Sequence, residues 1–165
     1  MPKRRKDKRR KQRVPEDHVD GLLIFISKLM VAMGLPAYRI LIMDKPADKG
    51  SIAEVIYTDD RYVAQVYLSK DWMSRPEDER RDTIVHEVLH LWHRPLSDWF
   101  RDDVHEAVNV GDFVRLERQF HAVTELMVDQ MALILADTHR IKEEWEEAHR
   151  GSSPARILEE TKTAD

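Results

Sequence analysis

Residues 82–94 read Asp-Thr-Ile-Val-His-Glu-Val-Leu-His-Leu-Trp-His-Arg, and the organisation of the chain can be worked outward from them. Ile84, Val85, Val88, Leu89 and Trp92 give the stretch the apolar spacing of a buried α-helix. Upstream, Ser74 suits an N-cap, and Pro76 with Glu77-Asp78-Glu79 suits a first turn. Downstream, Pro95 predicts a stop at about Arg94. Within this helix stands His86-Glu87-Val88-Leu89-His90, an HExxH motif. Side chains four apart on a helix lie about 40° from each other around the axis and one turn apart along it. His86 and His90 can therefore converge on one Zn²⁺. Glu87 can stand beside the ion as general base toward a water whose pKa the metal lowers. Two histidines and a glutamate on or beside an apolar side would cost several kcal/mol without partners, about the cost of burying unpaired polar groups.

A catalytic zinc requires a third protein ligand and an open position. His93, His105, His121 and Glu125 are the candidates. His93 follows on the same helix, and one straight helix cannot wrap three ligands around an ion, so it reads as a supporting or solvated residue. His105 lies fifteen residues after His90 and is the alternative third ligand. Glu125 is favoured, because Glu117, His121, Glu125 and Asp129 form an i, i+4, i+8, i+12 stripe on a predicted helix from about Asp112 to Ala136. Phe113, Val114, Leu116, Phe120, Val123, Leu126, Met127, Met131 and Leu133 surround that stripe. Glu125 as ligand, with Asp129 receiving the other ring N–H of a ligand histidine, accounts for it. His121, one turn before Glu125, is the candidate donor to a developing oxyanion; Tyr62 and Tyr67 are weaker candidates.

The rest of the 165 residues supply a frame. Residues 16–34 read as a helix, opened by Pro15, Glu16, Asp17 and Asp20 and stopped at Gly34-Leu35-Pro36. Leu22, Leu23, Phe25, Ile26, Leu29, Met30 and Met33 cover most of its circumference. Three strands are expected, at Tyr38–Met43, Ile52–Thr58 and Tyr62–Leu68, with Asp59-Asp60-Arg61 as a hairpin turn between the last two. The segment Trp99–Val108 links the two major helices, and the long one is expected to run on toward Ile141–His149. The four tryptophans read as core or helix-interface residues, and Trp99-Phe100 could also cover a cleft. The fold class is therefore α+β: a small antiparallel or mixed three-stranded sheet packed on an N-terminal helix, the HExxH helix and a long C-terminal helix.

Charge and composition set the boundaries. Residues 1–13 carry nine Lys/Arg and one Asp, against 18 basic and 30 acidic residues in 14–165. An acidic body thus bears a basic arm, residues 1–14, expected to be disordered and suited to nucleic acid or another polyanion. Residues 15–150 form the single domain, and 151–165 read as a flexible tail. Absence of cysteine excludes disulfides, cysteine zinc fingers, iron–sulfur clusters and a cysteine nucleophile. The most apolar stretch, Leu22 to Leu35, is too short and too interrupted to span a bilayer, and no secretory signal is seen. The expected location is cytoplasmic, with no membrane partner.

HEVLH followed thirty-five residues later by ELMVD resembles the gluzincin metallopeptidases, which combine HExxH with Glu-x-x-x-Asp on a later helix. The context TELMVDQMALILAD is similar to the compact ImmA/IrrE-type zincin domain, over about residues 52–136. The resemblance implies a small sheet beside the zinc helix, His86, His90 and Glu125 as metal ligands, Glu87 as general base, and Asp129 orienting His86. It implies hydrolysis of peptide bonds in a protein substrate held along an edge strand, for which Tyr62–Leu68 is the expected strand. A weaker resemblance is to SprT-like proteases, which act on DNA-bound proteins and take a third histidine near the spacing of His105. A zincin fold serving as a catalytically silent binding or regulatory module is the alternative of another class.

Overall fold

The computed structural model describes residues 14–35, 38–58 and 62–150. Residues 1–13 of the basic arm, Pro36, Ala37, the Asp59-Asp60-Arg61 turn and the tail 151–165 lie outside the described residues, whereas Val14 packs against the core. Helix α1 spans Glu16–Ala32, with Glu16 and Asp17 in its first turn, where the helix dipole favours carboxylates. Strands β1 (Arg39–Ile42), β2 (Ala53–Thr58) and β3 (Val63–Leu68) follow. A 3₁₀ turn at Trp72–Ser74 leads into α2, Glu77–Trp99. The short α3 (His105–Ala107), the long α4 (Val110–Ala136) and α5 (His139–His149) complete the chain.

The sheet order is β1-β3-β2. β2 and β3 pair antiparallel, with Val55 opposite Val66, and β1 runs parallel to β3, with Ile40 opposite Ala64. The sheet is mixed, and β3 is its centre. Ala64, Val66 and Leu68 are buried while Val63, Gln65 and Tyr67 are less so, as alternation along the pleat requires.

Leu22, Phe25, Ile26, Trp72, Ile84, Leu89, Val128 and Trp145 meet in one core between helices and sheet. Trp72 and Trp145 are fully buried, and each has its indole N–H satisfied: Trp72 by His18 Nε2 at 2.9 Å, Trp145 by Glu77 Oε1 at 2.8 Å. Trp92 and Trp99 do not fill the core as expected; they lie on the surface at 45% and 53% exposure.

Two boundaries differ from the sequence reading. α2 does not stop at Arg94 but carries Pro95 inside it and continues to Trp99, then widens into a π-helical segment at Phe100–Val104. Proline removes one backbone donor and disfavours this conformation, but the aromatic packing beyond it holds the coil together. Phe100 stacks on Phe120 at 4.2 Å between ring centroids and on Phe113 at 6.0 Å. The second boundary is a break after Ala136, where the side chain of Thr138 caps α5 by accepting from the Ile141 N–H. The break lets α5 turn back onto α1, where Lys28 bridges Glu144 at 2.6 Å and Glu147 at 2.7 Å.

Candidate metal centre

α2 presents His86, Glu87 and His90, and α4 runs back along it so that Glu125 and Asp129 face the same point. His86 Nε2 and His90 Nε2 lie 2.9 Å apart. Glu125 reaches 3.8 Å from the first and 3.7 Å from the second. One ligand atom from each of the three residues falls within a 4.8 Å span, and this is the group found among the described residues that could hold a metal ion. Two imidazoles and a carboxylate are a donor set that suits zinc, and three protein ligands leave a coordination position free. Burial holds the His90 ring below its usual pKa, with Glu125 opposing and the neighbouring histidines reinforcing. An unprotonated ring is the form a cation needs.

Asp129 sits one turn beyond Glu125, with Oδ1 3.0 Å from His86 Nδ1. A histidine whose other nitrogen is hydrogen-bonded to a carboxylate has its tautomer and ring plane fixed, which leaves Nε2 unprotonated toward the site. His121 lies on the same side of α4, its Nδ1 3.7 Å from Glu125, with a largely exposed side chain. Glu117, His121, Glu125 and Asp129 all line a cleft of about 1230 Å³. His105 belongs neither to the converging group nor to the cleft wall; it packs edge-on against Phe113 at 4.7 Å.

Glu87 lines the same cleft as the two histidines and also reaches the sheet. Its Oε2 accepts a hydrogen bond from the Val55 N–H at 2.8 Å. Burial pushes this carboxyl up to about 7, against the Val55 hydrogen bond and with Glu125 and Glu54 adding to the rise. A carboxyl poised there exchanges a proton readily at neutral pH. The Ser69 N–H donates to Ile52 O at 2.8 Å, so even-numbered β2 residues face β3 and Ala53, Val55 and Tyr57 face outward.

The strand beside the cleft is therefore β2, not the Tyr62–Leu68 strand expected from sequence. Nearness in sequence to α2 misled there, because β3 is flanked on both sides by partners and has no free edge. Tyr62 and Tyr67 are likewise away from the cleft: Tyr67 donates to Gln65 at 2.7 Å and Tyr62 packs edge-on against Tyr38. His93 is neither a supporting nor a solvated residue. It is 5% exposed, packs against Trp92, and neither ring nitrogen has a hydrogen-bond partner among the described residues.

Sequence reading missed several groups that shape the site. Of the Trp99-Phe100 pair expected to cover the cleft, Phe100 does line it and Trp99 does not; the unexpected partner is Phe120, which stacks on Phe100 to form an aromatic wall. Arg94, buried one turn after His90, stacks over the Tyr57 ring at 4.5 Å and pairs with Asp98 at 3.1 Å, tying α2 to β2. No helix among the described residues is long and apolar enough to cross a membrane. Compared with protein-family models, with curated proteins and with solved structures, the chain finds no match in any of the three.

Proposed function

We propose that the chain is a zinc-dependent metallopeptidase of minimal gluzincin type, with His86, His90 and Glu125 holding the ion. The observation that carries this reading is the convergence of those three side chains within 4.8 Å in an open cleft. The adjacent Glu87 supports it. When bound, the metal supplies Lewis-acid polarisation of a carbonyl and acidifies water. Glu87 takes the proton from the attacking water and passes it to the leaving amine. Asp129 fixes the orientation of His86. His121 stands at the cleft wall as the donor toward the developing oxyanion. An extended peptide lies along the outward edge of β2, held by backbone groups of Ala53 and Tyr57. The Val55 N–H is already taken by Glu87.

The test is metal content and proteolysis on one preparation. The full chain should retain one zinc per molecule through dialysis and cleave an unfolded protein such as casein. Glu87→Gln should keep the zinc and lose cleavage, and Glu125→Ala should lose both. A chain that retains no zinc, or a Glu87→Gln variant that cleaves as fast as the parent, would sink the proposal. Zinc retained with no cleavage of any offered protein would favour the silent binding module. The nine Lys/Arg of residues 1–13 are proposed to add a separate polyanion contact. Salt-sensitive DNA binding that disappears on deleting those residues is its check.

A further inference from the structure

The cleft that holds His86, His90 and Glu125 has two unlike ends. His86 meets Asp129 at 3.0 Å and Phe100 meets Phe120 at 4.2 Å, so rising positions on α2 face falling positions on α4. β2 follows α2: the Val55 N–H reaches Glu87, and Arg94 lies over the Tyr57 ring. One end of the cleft is therefore lined by Glu54, Asp82 and Asp129, the other by Phe100, Phe120, Arg101 and Arg118. No lysine lines the cleft, and both arginines that do stand at the aromatic end. Asp82 pairs with Arg81, which does not line the cleft. Arg101 is tied to Asp98 at 2.8 Å. Arg118 is exposed and has no ion pair among the described residues. Glu117 beside it is the one carboxylate lining that end.

The aromatic end is built rather than incidental. The π-helical segment begins at Phe100 and puts two consecutive residues, Phe100 and Arg101, on the cleft wall. Such segments are frequent at functional sites. Phe100 and Phe120 stack with 11° between their planes and stay half-buried, and buried Phe113 backs Phe100 from behind. The ring surface they leave in the cleft meets water until an apolar group covers it. Resting on the peptidase reading of this cleft, we infer that its aromatic end is a side-chain subsite. It takes an aromatic residue of the bound peptide against Phe120, with an acidic neighbour beside Arg118. Across the metal centre, a basic residue of the same peptide meets Glu54 and Asp82. A third ring adds to a stacked pair by edge or offset contact, and a guanidinium attracts a carboxylate that the opposite end repels. The charges thereby fix which way round the peptide lies. Phe120 and Asp129 are nine positions apart on α4, roughly 14 Å along the axis, which is the reach of about four extended residues.

Binding, read separately from cleavage, tests this. The full-length Glu87→Gln chain, in zinc-containing buffer, is titrated into fluorescein-labelled alanine peptides and anisotropy is followed. The peptides carry Lys-Lys and Phe-Glu separated by about four residues, in both chain orders. In one order the peptide should bind roughly 10-fold more tightly than its counterpart with alanine in place of phenylalanine. It should bind about 2- to 5-fold more tightly than the counterpart with lysine in place of glutamate, a margin that shrinks at high salt. Arg118→Glu, at an exposed position, should reverse that charge preference. Phe120→Leu should keep the helical circular dichroism and lose most of the aromatic preference. Indifference to the phenylalanine in both chain orders overturns the inference, and so does an Arg118→Glu variant that keeps the parent's charge preference. Equal displacement by a polyglutamate lacking aromatic residues overturns it as well. A chain that shows these preferences while the parent cleaves no protein upholds the subsite and fails the peptidase reading. A parent that cleaves casein while all the peptides bind alike does the reverse.

Discussion

The backbone N–H of Val55, on the outer edge of β2, donates to Oε2 of Glu87 at 2.8 Å. The sheet edge and the candidate general base are therefore one unit. The bond makes the choice of replacement at position 87 decisive. Glutamine keeps an acceptor for Val55, whereas alanine leaves that N–H without a partner in a half-buried place. Glu87→Ala should lose about 1–3 kcal/mol of stability, the usual cost of an orphaned buried donor. Glu87→Gln should melt close to the parent. Thermal unfolding of the two variants side by side, without metal, checks this independently of any cleavage assay.

Asp129 touches His86 at 3.0 Å and contributes nothing to the converging trio. Asp129→Asn should weaken zinc affinity by about 10- to 100-fold, as loss of a ligand's hydrogen-bonding carboxylate does elsewhere. Glu125→Ala should weaken it further. His105→Ala should leave it unchanged, since that ring packs against Phe113 outside the cleft. Competition titration against a chromogenic chelator measures all three. Equal losses for His105→Ala and Glu125→Ala would contradict the ligand assignment.

A second histidine pair sets the response of stability to acid. His18 is buried at the α1–α5 contact, accepts from Trp72, and lies 4.7 Å from the His149 ring. Burial lowers its pKa from 6.5 to about 3, with His149 and Arg80 adding to the fall and Asp17 opposing. His149 is lowered too, again chiefly by burial. Between pH 6.5 and 3 the unfolded chain then binds protons that the folded chain refuses. The stabilisation from keeping His18 neutral is complete above pH 6.5 and is lost on acidification toward pH 3. The slope per group is at most about 1.4 kcal/mol per pH unit. Urea unfolding at pH 7, 6, 5 and 4 should show the decline, and His18→Gln, which can still accept from Trp72, should flatten it.

At Gly21 two opposing effects can be weighed. Replacing a mid-helix glycine by alanine normally gains about 1 kcal/mol. Here an added Cβ would stand 2.7 Å from His149 Cδ2 and 2.9 Å from the Ala148 carbonyl oxygen. The backbone of α5 cannot withdraw cheaply, and overpacking of this kind costs about 1–3 kcal/mol. Gly21→Ala should therefore lower the melting temperature. A rise would show that α5 is only loosely held on α1.

The helical half of the molecule was open to sequence reading because helix spacing is local. His86, His90, Glu125 and Asp129 each follow from 3.6-residue periodicity within one helix, and their meeting needs only that α2 and α4 pack together. Strand positions were readable for the same reason: Ala64, Val66 and Leu68 alternate within a few residues. Strand order was not, because the parallel pairing of β1 with β3 depends on contacts across more than twenty residues. That pairing puts β2 at the edge. Pro95 misled because a local preference of a few kcal/mol yields to stacking among Phe100, Phe113 and Phe120. The surface positions of Trp92, Trp99, Leu126 and Ile134 contradict composition altogether, since burial of apolar residues is a tendency with no sequence marker for its exceptions.

His86 and His90 belong to one rod and Glu125 to another, so a cation held by all three acts as a rivet between them. Its capture energy is spent on keeping α4 seated. Heat tolerance should therefore climb with free zinc concentration. Stripping the ion with a chelator should leave Val110–Ala136 the first segment to trade its amide hydrogens for deuterium.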